Sequence, residues 1–436
     1  MVLWGREGTG MNKQAPRYRD YMYSYPHKTA YRPFERPVDI GLFVEKVAGQ
    51  RASLYFHIPF CRYKCGFCNL FSRQGCGEAM VDDYLDAMWR QARQLSALTA
   101  GQLRFDAFAI GGGTPLVLSA AQLNRLFEMA ALFGVTPAGV LTSIETSPDY
   151  TDMDVLQLLR EKGVGRLSIG VQSFFSGELE HLKRGTSVAV IEAALERVRR
   201  MGFPRFNIDL IYGVEGQTVD SFLFSIQKAL YYHPTELFIY PLYVRKGVGI
   251  SGKARNEVLL EMYHAGRAEL LRQGFKQTSM RRFVGGYSAE GEYSCGDEVM
   301  LSCGCGGRSY MGRLHFAAPY AVGQQKIRSI IDHYIQTADF TFAANGFMLS
   351  EEEVRRRYVI MNLLYHRGVD KVGYAFRFGR DVSTFALLGR LVDKGLAEDT
   401  GGFIRLTGDG LSYADDIGPL FISPEVRGLM DSFPLE

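Results

Sequence analysis

LYFHIPFCRYKCGFCNLF, residues 54–71, is the stretch from which the fold can be read. Its first five residues are apolar or aromatic at almost every position, the pattern of a strand buried on both faces. Pro59 ends that run, and three cysteines follow within eight residues as Cys61-x3-Cys65-x2-Cys68. Strands buried on both faces belong to parallel sheets, and parallel neighbours need crossover helices.

The sequence downstream supplies those crossovers. Segment 79–98 has helical apolar spacing. FDAFAIGGG (105–113) reads as a strand, with a helix from about Ser119, and LTSIET (141–146) as a strand, with a helix from about Asp154. RLSIGVQS (166–173) precedes a helix over 188–201, RFNIDLIYG (205–213) one over 218–232, and ELFIYPLYV (236–244) one over about 255–273. Strand-then-helix repeats predict an α/β fold with right-handed crossovers. Eight units close a full barrel, so the six here predict an incomplete (β/α)6 barrel, with a doubly wound open sheet as the competing architecture. In both, reactive groups gather at the strand C-termini. The cysteine loop, the Gly111-Gly112-Gly113-Thr114 run, Glu145, Gln172 and Asp209 all fall there.

Outward from this core the chain divides into an N-terminal arm (1–50), the barrel with a Gly- and Cys-rich extension (51–325) and a C-terminal helical unit (326–436). The arm is rich in Tyr, Pro and Arg and reads as an extended, aromatic-anchored segment, because disordered leaders are poor in aromatics. Residues 274–325 read as irregular. Ser350 with Glu353 is a capping-box pattern opening a helix. A second helix is expected over 383–394, ending at Gly395, then a strand over 403–407, with Thr407 able to cap another helix. Helix, helix and hairpin resemble a winged helix.

The bulk chemistry of the 436 residues is that of a soluble globular chain, with 47% hydrophobic and 22% charged residues and a net charge of +3. No stretch reaches the ~18 apolar residues of a membrane helix, and the N-terminus lacks the apolar core of a signal peptide. The expected location is the cytoplasm, with no membrane partner. The winged-helix-like unit, residues 351–436, holds 11 Lys and Arg against 14 Asp and Glu. That balance argues against a nucleic-acid partner.

Three thiolates on one short loop suit a soft metal centre. Zinc favours four ligands in paired C-x2-C units, and no paired C-x2-C follows. Three cysteines would leave one iron of a [4Fe–4S] cluster open for a substrate or cofactor. The chain has seven cysteines, an odd number, and their placement matters more than the count: a second group, Cys295, Cys303 and Cys305, stands in the Gly-rich extension, and Cys76 follows the loop.

The Cys61-x3-Cys65-Gly66-Phe67-Cys68 pattern after a first barrel strand resembles the signature of radical S-adenosylmethionine (SAM) enzymes. The set LYFHIPFC, GGGTP, the Glu of IETSP, GVQSF, a downstream Arg, the Asp of NIDLIYG and the arm's Tyr23-Ser24-Tyr25-Pro26 looks more narrowly like the oxygen-independent coproporphyrinogen III oxidase-like (HemN-like) family. The resemblance implies a [4Fe–4S] cluster on Cys61, Cys65 and Cys68. The cluster would cleave SAM to a 5′-deoxyadenosyl radical that abstracts hydrogen from a tetrapyrrole or similar small molecule. It also implies an electron donor such as flavodoxin or ferredoxin. By matching position, Tyr55, Phe67, Gly111, Gly112, Gly113, Thr114, Glu145, Gln172, Arg184 and Asp209 are expected to contact SAM. Phe67, Gln172, Arg184 and Asp209 also match positions that line a second SAM site in some members.

The chain departs from the pattern over 293–312. Known oxidases carry a Gln about where Cys295 stands, and haem-chaperone relatives carry a His-Asn…Tyr-Trp stretch that this chain lacks. Cys295, Cys305 and Arg308 are therefore the candidate substrate-side residues, against a plainer reading as a glycine-rich turn with small buried thiols. An oxidase of a tetrapyrrole propionate is the first functional expectation. A radical methyltransferase using two SAM molecules on a heteroaromatic compound or haem is the alternative, and a haem chaperone the third.

Overall fold

In the computed structural model, which describes residues 21–244, 249–250, 252–286 and 299–434, six parallel strands lie side by side in sequence order. They are Arg51–Ile58, Arg104–Gly112, Leu141–Thr146, Arg166–Gln172, Arg205–Tyr212 and Glu236–Pro241. Register pairs Leu54 with Phe108, Ile110 with Ile144, Ile144 with Leu167, Leu167 with Phe206, and Ile208 with Leu237. All of these side chains are buried. A doubly wound sheet reverses its strand order at a switch point. This order never reverses, so the wall is that of the partial barrel.

A helix follows each strand: Glu78–Thr99, Ala120–Ala131, Met153–Glu161, Val188–Met201, Val219–Leu230 and Asn256–Arg272. Their starts follow from local chemistry. Ser119 Oγ accepts from the Gln122 amide (3.3 Å) while Gln122 Oε1 accepts from the Ser119 amide (3.0 Å). Thr218 and Ser221 form the same reciprocal pair. Loss of such a cap costs about 1 kcal/mol.

The expectation of irregular chain over 274–325 is corrected. Arg282–Val284 adds antiparallel to Glu236–Pro241. Val299–Cys303 pairs parallel with the first barrel strand, Met300 opposite Ser53 and Cys303 opposite Phe56. Arg308–Met311, Leu314–Ala317, Phe342–Met348 and the arm strand Arg32–Asp39 continue from it in antiparallel order. With Lys276–Gln277 paired outside Arg282–Val284, the result among the described residues is one 13-stranded sheet. Val299–Cys303 and Arg308–Met311 are buried at every position, so no alternation of period two marks them in sequence. The main sheet thus takes in chain on both sides of residue 325.

The arm is anchored by its aromatics. Tyr25 is fully buried. Its hydroxyl donates to Glu353, and its carbonyl accepts from Arg357 Nη1 at 2.7 Å. Ser350 does cap the helix Glu351–Leu363, accepting from the Glu353 amide at 3.3 Å. The Glu353 carboxylate, however, turns to Tyr25 rather than closing a capping box.

The C-terminal unit also carries helices Lys371–Phe378 and Ala386–Asp393, a small sheet of Val369–Asp370, Phe403–Leu406 and Ala397–Asp399, and the short helices Gly408–Ser412, Ala414–Ile417 and Pro424–Asp431. Helix Lys371–Phe378 was not expected. The helix predicted from 383 begins at Ala386, after a single 3-10 turn, Val382–Thr384. Thr407 Oγ1 accepts from the Gly410 amide (3.0 Å) and so caps the next short helix, as expected. No described helix is long and apolar enough to cross a membrane.

Candidate active site

The C-terminal ends of the barrel strands bring the expected residues into one region. The first strand leads through Phe60–Cys61 into the cysteine loop, and Phe60–Cys61 pairs with Arg73–Gln74 to hold its two ends together. Cys61, Cys65 and Cys68 are half-buried free thiols. Cys61 Sγ lies 3.6 Å from Thr114 Oγ1, and Cys65 Sγ accepts from Arg184 Nη1 at 3.1 Å. Burial pushes the Cys61 thiol up to about 11 and raises that of Cys68. These thiols stay protonated at neutral pH until something positive takes up their sulfurs.

Gly111–Thr114 runs along the inner side of this loop. A Cβ at Gly111 would stand 2.7 Å from Glu145 Oε2 and 3.1 Å from Tyr55 Oη, and one at Gly113 would stand 2.9 Å from Cys61 Sγ. Gly112 has φ of +119°, and its amide donates to Glu145 Oε2 at 3.3 Å. Only glycine leaves this strip open to a ligand without a clash. Glu145 is open to the interior but ringed by protein, and burial raises its carboxyl against the pull of the Gly112 amide and Arg166.

Gln172 ends the fourth strand at φ +77°, beside a register shift. A Cβ at Gly170 would fall 2.7 Å from Gln172 Nε2 and 3.5 Å from Arg184 Nη2. Arg184 also donates to the Gly170 carbonyl, and its Nε is buried with no hydrogen-bond partner. Phe67 packs on a small apolar cluster of Leu182, Ile211, Val214, Leu242 and Ile250.

Asp209 accepts from Asn207 Nδ2 at 2.7 Å. Burial lifts its carboxyl from 3.8 to about 7, against that bond and the pull of Arg166 and Arg184, with Glu145 adding to the rise. A carboxyl raised on folding keeps its proton longer in the folded state. Stability is therefore lost as pH climbs from the ordinary carboxylate range to about 7, and levels above it. Asp209→Asn is expected to stabilise protein without added SAM by about 2 kcal/mol more at pH 8 than at pH 5.5, at 1.36 kcal/mol per unit. Thermal unfolding at the two pH values checks this; an equal effect at both would mean that Asp209 does not titrate there.

Tyr55, Glu145 and Asp209 open into a cavity of about 200 Å³ on the barrel axis. Its lining includes residues that sequence reasoning missed. Ser143, Ser168 and Asn207 each lie two positions from Glu145, Arg166 or Asp209 on the same face of a strand, so period two could have found them. Tyr21 and Tyr23 of the arm, Arg281, and Asp415 of the C-terminal unit also line it, and no local pattern links these. Arg166 is held by Glu236 (3.0 Å) and Ser143 (2.9 Å).

The second cysteine group lies elsewhere. Cys303 and Cys305 are buried and do not line the cavity; burial pushes Cys305 up to about 12, beside Tyr84. Arg308 is buried under the arm, donating to Ser24 Oγ at 2.6 Å and facing the Tyr23 ring at 4.6 Å. Cys295 is outside the described residues. Cys76 is half-buried.

The chain matches the family model of the Radical SAM superfamily over residues 55–229. Its relatives are of the HemN-like, coproporphyrinogen III oxidase-like group. It is 36% identical over 229 residues to the oxygen-independent coproporphyrinogen III oxidase of Escherichia coli, half of this chain and 49% of that one. It is 28% identical to the heme chaperone HemW of Bacillus subtilis, over 85% of this chain and 99% of that one. The structure of E. coli HemN superposes with a TM-score of 0.77 at 24% identity, covering 92% of this chain and 96% of that one.

A radical SAM domain implies a [4Fe–4S] cluster and SAM. The residues present fit both. No three His, Cys, Asp or Glu side chains among those described converge on a single ion, but a cluster does not ask for that, because its thiolates bond different irons. The fit rests on three thiols on one loop, a guanidinium against one of them with an unsatisfied Nε, and a glycine strip whose open side a Cβ would fill.

Proposed function

We propose that this chain is a radical SAM enzyme that takes hydrogen from a tetrapyrrole held in the barrel cavity. The observation that carries the reading is continuity. One cavity runs from Tyr55, Glu145 and Asp209, beside the cysteine loop, to an aromatic wall of Tyr21, Phe238 and Tyr240. In this reading Cys61, Cys65 and Cys68 hold the cluster, and Arg184 disperses charge on the Cys65 sulfur. Gly111–Thr114 offers backbone at close range. Glu145 accepts from ammonium or hydroxyl groups, Asp209, Gln172 and Tyr55 supply further polar contacts, and Phe67 gives an apolar face. When bound, the cluster and SAM supply one-electron, hydrogen-abstracting chemistry, with an electron drawn from a flavodoxin- or ferredoxin-class donor.

The tetrapyrrole class is supported by the names of the relatives, which refer to coproporphyrinogen and to heme. Oxidation of a propionate is the first reading. It is supported by the 36% identity to an oxygen-independent coproporphyrinogen III oxidase over half of this chain. A second reading, methyl transfer to a ring carbon of haem or a similar heteroaromatic, is favoured by the charge of the inner cavity. Glu145 and Asp209 line that end and burial raises both carboxyls, so the cation it offers a propionate is Arg166, already held by Glu236, and an uncharged carbon is admitted without cost.

Anaerobic turnover with methyl-labelled SAM separates them. Coproporphyrinogen III yielding carbon dioxide without S-adenosylhomocysteine supports the oxidase. Haem yielding S-adenosylhomocysteine and a labelled tetrapyrrole supports the transferase. Stoichiometric haem binding with neither product would make the chain a haem carrier and overturn both.

A further inference from the structure

The far end of the cavity holds a buried guanidinium with a donor to spare. Arg281 is 7% exposed and lines the cavity. Its Nη2 donates to Asp415 and to the Tyr243 hydroxyl, and that hydroxyl in turn donates to Asp415. Tyr21 covers the group: its ring lies 4.0 Å from Arg281 Cζ and stacks on Tyr243 with centroids 5.9 Å apart. Arg281 Nε is buried and has no hydrogen-bond partner. Buried donors of charged groups are rarely left so, because the omission is costly.

Two further observations bear on this group. The parts come from three regions: Tyr243 and Arg281 from the barrel side, Tyr21 from the arm and Asp415 from the C-terminal unit. The cavity, at about 200 Å³, is smaller than the roughly 300–1,000 Å³ of ordinary small-molecule sites. A ligand of tetrapyrrole size fits only if the lining moves, and at Arg281 the lining is an ion pair between two regions of the chain rather than paired strand.

We propose that Arg281 is the anchor for a carboxylate of the substrate, and that Asp415 is its stand-in, holding the guanidinium until a substrate carboxylate takes its place. In taking the substrate to be a tetrapyrrole acid, this rests on the function proposed above. Exchange of one carboxylate for another keeps the buried charge balanced. The incoming group also gains the idle Nε and can bind as a two-pronged pair, which Asp415 on Nη2 alone does not do. An ester lacks the charge and cannot displace Asp415. The arrangement selects an acid-bearing ring and sets that acid at the end away from the cysteines.

The test is equilibrium binding of protoporphyrin IX and of its dimethyl ester, followed by porphyrin fluorescence with the full-length, cluster-loaded protein. Wild type is expected to prefer the acid by about thirtyfold or more. Arg281→Gln should bring the two affinities together, and Arg281→Lys should keep part of the preference. Asp415→Asn should tighten acid binding several-fold and leave the ester unchanged. A preference that survives Arg281→Gln overturns the anchor and leaves the tetrapyrrole reading standing. Wild type that binds neither probe overturns both. If Arg281→Gln does not fold, Asp415→Asn decides: acid binding that fails to tighten there overturns the proposal.

Discussion

Cys65→Ala protein, purified and reconstituted without oxygen, is expected to be colourless. Its iron should fall from about four per chain to less than one. The reason lies in the count of ligands. Three thiols share the loop, and Cys65 alone receives the Arg184 guanidinium, at 3.1 Å. Without its sulfur two thiolates remain for four irons, and the buried Arg184 cation is left with the Gly170 carbonyl. Cys76 is the control: it follows the loop and is half-buried, yet stands outside the proposed set, so Cys76→Ala should keep full iron and colour. Iron analysis and the visible spectrum decide. A Cys65→Ala protein with the wild-type cluster spectrum would remove the ligand assignment.

Gly112→Val is expected to keep the cluster and lose SAM. Position 112 has φ of +119°, where a β-branched residue is strained. Its Cβ would also stand 2.8–2.9 Å from the His57 imidazole. That ring cannot retreat: it is buried, with Nε2 3.0 Å from the Phe71 carbonyl and Nδ1 3.2 Å from Tyr55 Oη. Burial lowers its pKa to about 4, so it stays neutral at neutral pH. The glycine strip must therefore move, and with it the amide that meets Glu145. Affinity for labelled SAM should drop more than tenfold, the equivalent of about 1.4 kcal/mol. Unchanged SAM binding in a variant with full iron would mean that this strip does not form the SAM wall.

What could be read in the chain beforehand depended on how local the determining contacts are. The six barrel strands announce themselves because each is a dense apolar run followed by a helical period, and three of the helix starts carry their own caps, at Ser119, Ser187 and Thr218. Val299–Cys303 and Arg308–Met311 are short and buried throughout, with serine and arginine inside them. Their burial comes from partners far along the chain, so their own composition hides them. The site divides in the same way. Glu145 and Asp209 are odd residues in apolar strands and stand out. Arg281 meets Asp415 across 134 positions, and nothing near either residue signals the other. Glu353 shows how a local rule is overridden: its spacing from Ser350 suits a capping box, but a buried tyrosine hydroxyl claims the carboxylate.

The anchoring of the arm sets a timetable for the newborn chain. Tyr25 meets Glu353 across 328 positions, and the Arg32–Asp39 strand pairs with Phe342–Met348. At roughly 10 residues per second of synthesis, the arm waits about half a minute for its docking surface to exist. Through that interval a tyrosine-rich ribbon and one unpaired strand travel exposed. The barrel can assemble behind them, but the arm that lines its cavity is fastened only once residues 342–357 arrive.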